Sequence, residues 1–210
     1  MNRLPALIRQ HIAAFRAVLV FTALCGIIYP VIMFGVAQAA FHGSANGSLV
    51  TSNGKTVGSS LICQEFVDAK GNPLAQYFQP RASNAADPTV KTDYGCDPNF
   101  SGASNLGPNN PDLTKTIEQR KAAIAKFDGV KESQVPPDAV TASGSGLDPD
   151  ISPQYAAIQA DRVAQARGLS DATVKALVTK YTQSRTIGFL GEPRVDVLTL
   201  NIALDKLSNR

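Results

Sequence analysis

The stretch Ala17–Ala37 reads AVLVFTALCGIIYPVIMFGVA, 21 consecutive residues without a charged side chain. As a helix it would span about 31 Å, close to the hydrocarbon thickness of a bilayer. The charged side chains before it, Arg3, Arg9 and Arg16, are all positive, and basic flanks stay in the cytoplasm. We therefore expect a cytoplasmic stub over residues 1–16, a transmembrane helix over 17–37 and an extracytoplasmic, periplasmic domain over 38–210.

A cleaved signal peptide is the alternative interpretation of the same stretch. Ala37-Gln38-Ala39 has the A-x-A form of a signal-peptidase site. The apolar region of a signal peptide usually runs about 7–15 residues, which is shorter than this one. The length therefore favours an uncleaved, single-pass anchor in the cell membrane, the inner membrane if the cell is Gram-negative.

The charge balance argues against nucleic-acid binding. The chain has 20 Lys and Arg against 17 Asp and Glu, and both counts are 17 once the three N-terminal arginines are set aside. The external domain is thus formally neutral, and no Lys/Arg run with interleaved aromatic residues occurs in it. The excess of basic residues therefore comes from the three N-terminal arginines, which set the orientation of the membrane segment.

The few histidines and cysteines limit the catalytic and metal chemistry. The two histidines are His11 and His42, so a Ser-His-Asp or Cys-His arrangement cannot be assembled inside the domain. No GxxxxGK[ST] loop occurs. We expect a protein that is not an enzyme by itself, with no metal site and no tightly bound cofactor.

Cys63 and Cys96 are the two cysteines outside the membrane segment, which holds Cys25. In an oxidising compartment they are candidates for a disulfide that would stabilise the domain by about 2–4 kcal/mol. Spacing alone does not show whether they lie within bonding distance, so the bridge stays open.

Local signals predict an α+β domain with one β-hairpin and three to four helices. Asn53-Gly54 lies between β-favouring residues, as in a hairpin, after a short polar linker near residues 42–47. Residues 68–110 are rich in Pro, Gly, Asn and Asp and are predicted to be irregular. Helices are predicted to follow the capping residues Asn110, Ser152 and Ser170, with Gly129 and Gly168 ending the first two. The last segment, 194–207, is compatible with strand or helix and favours helix.

Five segments in the same order resemble the C subunit (KdpC) of the bacterial high-affinity potassium-transporting Kdp P-type ATPase. They are GSSLICQEF (58–66), YFQPRAS (77–83), SGASNLGPNNPDL (101–113), TASGSGLDPDISPQYAAIQADRVAQARGL (141–169) and FLGEPRVDVLTLNIALD (189–205). With the N-terminal span, the resemblance covers essentially the whole chain. Cys63 stands where the family usually has Gly, and Ala82 where it usually has Pro.

The resemblance implies an accessory subunit of an ATP-driven K⁺ uptake complex. Its partners would be a channel-like pore subunit, a P-type ATPase subunit and a small membrane peptide. Family proposals give the C subunit either an assembly and gating role over the K⁺ entrance of the pore subunit, or the role of a catalytic chaperone that raises ATP affinity.

The chaperone proposal points to a Ser/Gly-rich loop and a glutamine as nucleotide contacts: Ser143, Gly144, Ser145, Gly146 and Gln159. Backbone N–H groups of a Gly-rich turn can hold anions. However, this loop has no lysine, two aspartates follow it, and ATP is cytoplasmic. We expect a tight turn with a structural role.

For the entrance role, the candidate residues are acidic side chains that could concentrate K⁺: Asp93, Asp97, Asp148 and Asp150. Solvated surface carboxylates without a function are the simpler interpretation of each. Outside transport, a membrane-anchored envelope binding protein would share the span and the α+β domain without explaining the ordered motifs. A secreted hydrolase would need a catalytic group that the sequence lacks.

Overall fold

The computed structural model describes residues 5–91 and 94–208. The chain divides into two compact units, Met1–Ser48 and Leu49–Arg210. The first unit is helical and the second is an α+β domain, which agrees with the predicted fold class. Thus the domain boundary lies at Leu49, beyond the predicted membrane segment.

The first unit consists mainly of one apolar helix of 35 residues, Ala6–Ala40. It comprises α1 (Ala6–Ala23), a π-helical turn (Leu24–Ile28) and α2 (Tyr29–Ala40). It is long and apolar enough to cross a membrane, and among the described helices it is the one that meets this test. A further turn, α3 (His42–Ala45), lies within the predicted polar linker.

The π-helical turn accommodates Pro30. Proline lacks an N–H group, and its ring clashes with the carbonyl four residues earlier in a regular helix. Widening the preceding turn removes this conflict, since the N–H of Tyr29 donates to the carbonyl of Leu24, five residues back. The helix therefore passes through Pro30 without being interrupted.

The second unit begins with the predicted hairpin. β1 (Leu49–Ser52) pairs antiparallel with β2 (Lys55–Ser59). Asn53 and Gly54 both have positive φ, 51° and 75°, as a type I′ turn requires. Between β2 and Asn110 the described residues contain no helix and no named strand, which confirms the predicted irregular segment.

Helices follow the capping signals. The Asn110 side chain accepts from Asp112 N, and the Ser152 and Ser170 hydroxyls accept from the third residue of their helices. Gly129 and Gly168 end the first two helices in the left-handed conformation. These predictions are confirmed. The helices are α4 (Pro111–Asp128), α5 (Pro137–Val140), α6 (Pro153–Arg167), α7 (Asp171–Tyr181) and α8 (Val197–Ser208).

A three-stranded sheet and a 3-10 turn (Glu132–Gln134) were not predicted. The strands β3 (Asp150–Ile151) and β4 (Thr182–Gln183) both pair antiparallel with β5 (Arg194–Asp196), which lies between them. The ambiguous last segment is strand for three residues and then becomes α8. The strand and the helix interpretations of residues 194–207 are therefore each correct for part of the segment.

The core of the domain lies between α6, α7, α8 and the sheet. Its largest fully buried apolar side chains are Phe78, Val163, Val174, Val195, Val197, Leu200 and Leu204. Phe78 comes from the irregular segment, so a stretch without regular structure passes through the centre of the domain. That stretch and the loop before β3 contain most of the residues that the sequence nominates for function.

Candidate functional site

The extended segment around Phe78 is held by two buried side-chain amides. The Gln159 amide of α6 accepts from Gln79 N at 2.7 Å and donates to Gln79 O at 3.2 Å. Asn201 of α8 makes the same pair of bonds to Phe78 N and Phe78 O, both at 2.9 Å. Each amide thus replaces the neighbouring strand that would satisfy this backbone in a sheet.

Two arginines of α6 bind the carbonyls just before this segment. Arg162 Nη1 donates to Ala75 O at 2.5 Å and Tyr77 O at 3.0 Å, and its Nε forms an ion pair with Asp128 at 2.7 Å. Arg167 Nε donates to Gln76 O at 2.6 Å. Burial raises the pKa of Asp128, although the ion pair with Arg162 acts in the opposite direction.

Gln159 is therefore occupied inside the domain. Gln159 is 0% exposed, and its Oε1 also accepts a hydrogen bond from Arg162 Nη2 at 2.9 Å. A nucleotide could contact this amide only if the core rearranged around Phe78. The geometry favours a structural role for Gln159 over the nucleotide contact.

Replacing Gln159 with leucine tests this role. Q159L leaves the N–H and carbonyl of Gln79 buried without partners, and we expect it to lower the free energy of unfolding by about 3 kcal/mol. The matched control is Q165L, which changes an exposed glutamine of the same helix. Urea unfolding of the full chain in detergent measures both. Equal stabilities for the two variants would contradict the role.

Two serine hydroxyls of the Ser143–Gly146 loop accept hydrogen bonds from the backbone N–H groups at the end of the loop. Gly146 N donates to Ser143 Oγ at 2.8 Å, and Leu147 N donates to Ser145 Oγ at 3.1 Å. An anion cradle needs such N–H groups to point at the ligand. Here these two already have acceptors within the loop.

Carbonyls of this loop and of Leu147, the residue after it, accept hydrogen bonds from three distant segments. Gly102 N donates to Ser145 O at 2.8 Å, Cys63 N donates to Leu147 O at 3.0 Å, and Ser83 Oγ donates to Gly146 O at 2.6 Å. The loop is therefore a junction that joins the irregular stretches to one another.

Alanine substitutions at Gly146 and Gly144 distinguish a structural role of this loop from a role in nucleotide binding. Gly146 has φ +72°, and a Cβ there would lie 2.6 Å from Gly102 O, whereas a Cβ on Gly144 meets nothing within 4 Å. We expect G146A to destabilise the protein by about 3 kcal/mol and G144A by about 0.5 kcal/mol or less. Unfolding of the two variants under identical conditions measures the difference. A glycine-rich nucleotide loop would instead need both residues, with ATP affinity lost in both variants.

Cys63 and Cys96 form a disulfide. Their Cα atoms lie 5.4 Å apart, both residues are buried, and the bridge joins positions 33 residues apart. It connects the end of the hairpin to the middle of the irregular segment. The sequence left this pairing open, and the structure places the two cysteines within bonding distance.

An open cleft of about 390 Å³ lies beside this junction. Its lining includes Arg81, Arg120, Phe127 and Tyr155, but neither the Ser143–Gly146 loop nor Gln159. The residues nominated for nucleotide binding and this cleft are therefore separate features. Among the described residues no group of three His, Cys, Asp or Glu is placed to hold a metal ion.

Two of the candidate K⁺-steering aspartates form ion pairs. Asp148 contacts Arg81 Nη1 at 2.7 Å, and Asp150 contacts Arg194 Nε at 3.0 Å. Their charges are compensated, which weakens their case as cation-attracting groups. Asp97 accepts from Asn99 N and Asn99 Nδ2 in a local turn. Asp93 lies outside the described residues.

The pKa of Asp150 is raised by its surroundings. Burial, opposed by Arg194 and reinforced by Asp148 and Asp196, raises its pKa from 3.8 to about 6. Asp196, its partner in the β3–β5 register, also has a raised pKa because of burial.

Measuring the free energy of unfolding between pH 3.8 and about 6 tests the raised pKa of Asp150. The folded state holds the Asp150 proton more tightly than the unfolded chain, so the contribution of Asp150 to stability falls as the pH rises through this range. In D150N this fall disappears, and the difference between the two curves isolates Asp150 from other carboxylates. D161N, which removes an exposed partner of Lys175, should keep the wild-type slope. A D150N curve parallel to wild type would contradict the prediction.

Sequence reasoning missed Arg81, Arg162 and Asn201 as residues that organise the site. Each is a polar residue on an element that otherwise packs into the core, and this could have marked them as internal partners. The backbone carbonyls and N–H groups that they bind lie 60 to 123 residues away along the chain, so no local pattern indicated these partners.

Over the residues it describes, the structure thus defines a class of protein, one with a membrane-length helix and an α+β domain in which every buried side-chain N and O atom has a hydrogen-bond partner. Comparison with known proteins identifies the family. The family model described as "K⁺-transporting ATPase, c chain" (KdpC) matches residues 11–206. The chain belongs to the KdpC family.

Curated relatives agree along almost their whole length. A protein of Kineococcus radiotolerans named "Potassium-transporting ATPase KdpC subunit" is 49% identical over 201 residues, which cover 96% of this chain and 95% of that protein. Proteins of the same name from Geobacter metallireducens and Streptomyces avermitilis are 47% and 46% identical and cover 93% of this chain. These matches cover 96% and 92% of the two relatives.

Proposed function

We propose that this chain is a non-catalytic accessory subunit of an ATP-driven, high-affinity K⁺ uptake complex. It assembles with a pore subunit, a P-type ATPase subunit and a small membrane peptide, and its α+β domain caps the K⁺ entrance of the pore subunit. Membership of the KdpC family and the membrane-length helix support this role.

One observation favours the cap role over the chaperone role. The polar groups that were nominated for nucleotide binding already have hydrogen-bond partners inside the domain. Gln159 is committed to Gln79, and the N–H groups of Gly146 and Leu147 are committed to the hydroxyls of Ser143 and Ser145. Groups that already have partners offer ATP phosphates little gain. A rigid domain of this kind suits a scaffold that covers another protein.

Two features favour an external location. Arg3, Arg9 and Arg16 precede the apolar segment, as expected for a cytoplasmic N-terminus. The Cys63–Cys96 disulfide suits an oxidising compartment rather than the reducing cytosol. An external domain would have no access to cytoplasmic ATP.

Cation attraction by the cap is a weaker part of the proposal. Among the three candidate aspartates that the structure describes, Asp97 is the one without an arginine partner. It lies in the irregular segment beside the disulfide. We therefore assign a modest contribution to the local K⁺ concentration to this carboxylate.

A protease cut between the two units tests the proposal in the assembled complex. A cleavage site inserted after the exposed Gly47 lets an impermeant protease release the domain from intact cells or right-side-out membranes. Release should change the K⁺ concentration for half-maximal uptake and leave the ATP concentration for half-maximal activity unchanged, because the cap acts where K⁺ enters. The uncut complex with the same insertion is the control.

The other outcomes separate the alternatives. A rise in the ATP requirement with unchanged K⁺ dependence would support the catalytic chaperone. Cleavage only after the membrane is opened would place the domain in the cytoplasm and overturn the topology. A released domain that changes neither property would contradict the cap.

A further inference from the structure

The loop between β4 and β5 projects three apolar side chains into solvent. Ile187 is 78% exposed, Phe189 is 68% exposed and Leu190 is 49% exposed. All residues from 183 to 193 are exposed. Other exposed apolar residues of the domain are scattered along its chain, whereas three large apolar side chains within four residues of one loop indicate an interaction surface. We call Thr186–Leu190 the apolar tip.

The apolar tip is a defined structure and not a fraying loop. Thr186 and Leu190 exchange two backbone hydrogen bonds, both at 2.9 Å, and Gly188 N donates to Arg185 O at 3.1 Å. The ion pair of Arg185 with Glu192 closes the base of the loop. The fold therefore holds these side chains away from the core.

Ile187 adds a second, independent observation. Its φ is +55°, a conformation that β-branched residues rarely adopt because Cβ crowds the backbone. In the free domain this exposed side chain has little packing to offset the strain. A partner that fits the resulting shape would supply the missing stabilisation, as is found where strain occurs at functional sites.

The charges around the apolar tip favour a protein surface over a lipid surface. Basic side chains that attract anionic headgroups need to be unpaired, but Arg185 pairs with Glu192 and Arg194 pairs with Asp150. With both arginines paired, the residues next to the tip carry no excess positive charge. A fluid bilayer would also accept any conformation of Ile187, so it gives no reason for the strained one.

We propose that Ile187, Phe189 and Leu190 dock into an apolar pocket on the external face of the pore subunit. This rests on the proposed function, in which the domain lies over that subunit. The strained tip presents a fixed shape, and the neutralised arginines leave a contact dominated by apolar burial. Such a compact cluster has the character of an interface hot spot.

Photo-crosslinking in the assembled complex identifies the occupant. Phe189→p-benzoylphenylalanine places a photoreactive ring at the tip, and the same replacement of Leu61, which is 60% exposed elsewhere in the domain, is the control. Irradiated membranes should give an adduct of the pore subunit from position 189 and not from position 61. An adduct with phospholipid alone, one with the ATPase subunit, equal crosslinking from both positions, or no adduct would each overturn the docking.

Two substitutions separate docking from folding. I187N places a residue that tolerates positive φ at the strained position, so it should maintain or raise the melting temperature while lowering recovery of the complex. F189S should lower the fraction of complex that retains this subunit in detergent by about tenfold, and L61S should leave it unchanged. Full retention in both tip variants would overturn the docking.

The failure of docking and the failure of the cap can be told apart. Unchanged retention of the tip variants, together with a K⁺ effect on release of the domain, would remove the docking and keep the cap. A pore-subunit adduct from position 189, with no K⁺ effect on release, would keep the docking and remove the cap.

Discussion

The domain depends on satisfying the backbone of an extended segment that runs through its core without a neighbouring strand. A buried N–H or C=O without a partner costs roughly 1–3 kcal/mol, and the segment 75–79 has several such groups. Gln159 and Asn201 bind both backbone groups of Gln79 and Phe78, and Arg162 binds two preceding carbonyls. Helices α6 and α8 thus take the place of a sheet.

This constraint decides what the nominated residues are free to do. Gln159 cannot serve the backbone of Gln79 and a ligand together, because its amide oxygen already accepts from Gln79 and Arg162. The Ser143–Gly146 loop is likewise engaged in internal hydrogen bonds. Its region joins segments near residues 63, 83 and 102. Motifs that suggest a binding site when taken alone are here parts of the internal scaffold.

The sequence predicts what depends on neighbouring residues. Capping by Asn110 and the Asn53-Gly54 turn could be assigned because each cause lies within a few positions of its effect. The two-residue strand β3 could not be predicted, because it exists through pairing with β5, over 40 residues later. The same distance hides the partners of Asp148 and Asp150, whose ion pairs changed their interpretation from free carboxylates to compensated ones.

In a domain whose buried polar side chains all have hydrogen-bond partners in the described residues, contacts with other proteins fall to exposed residues that the fold does not use. Buried polar groups with complete partners resist rearrangement, since any movement leaves some of them unsatisfied. Induced closure around a small ligand is therefore costly here, whereas rigid docking costs little reorganisation. Ile187 combines a positive φ with high exposure, so the domain offers it little packing to offset the strain. Among the described non-glycine residues with positive φ, Ile187 is the β-branched one, and the docking that we propose would place its compensation on another molecule.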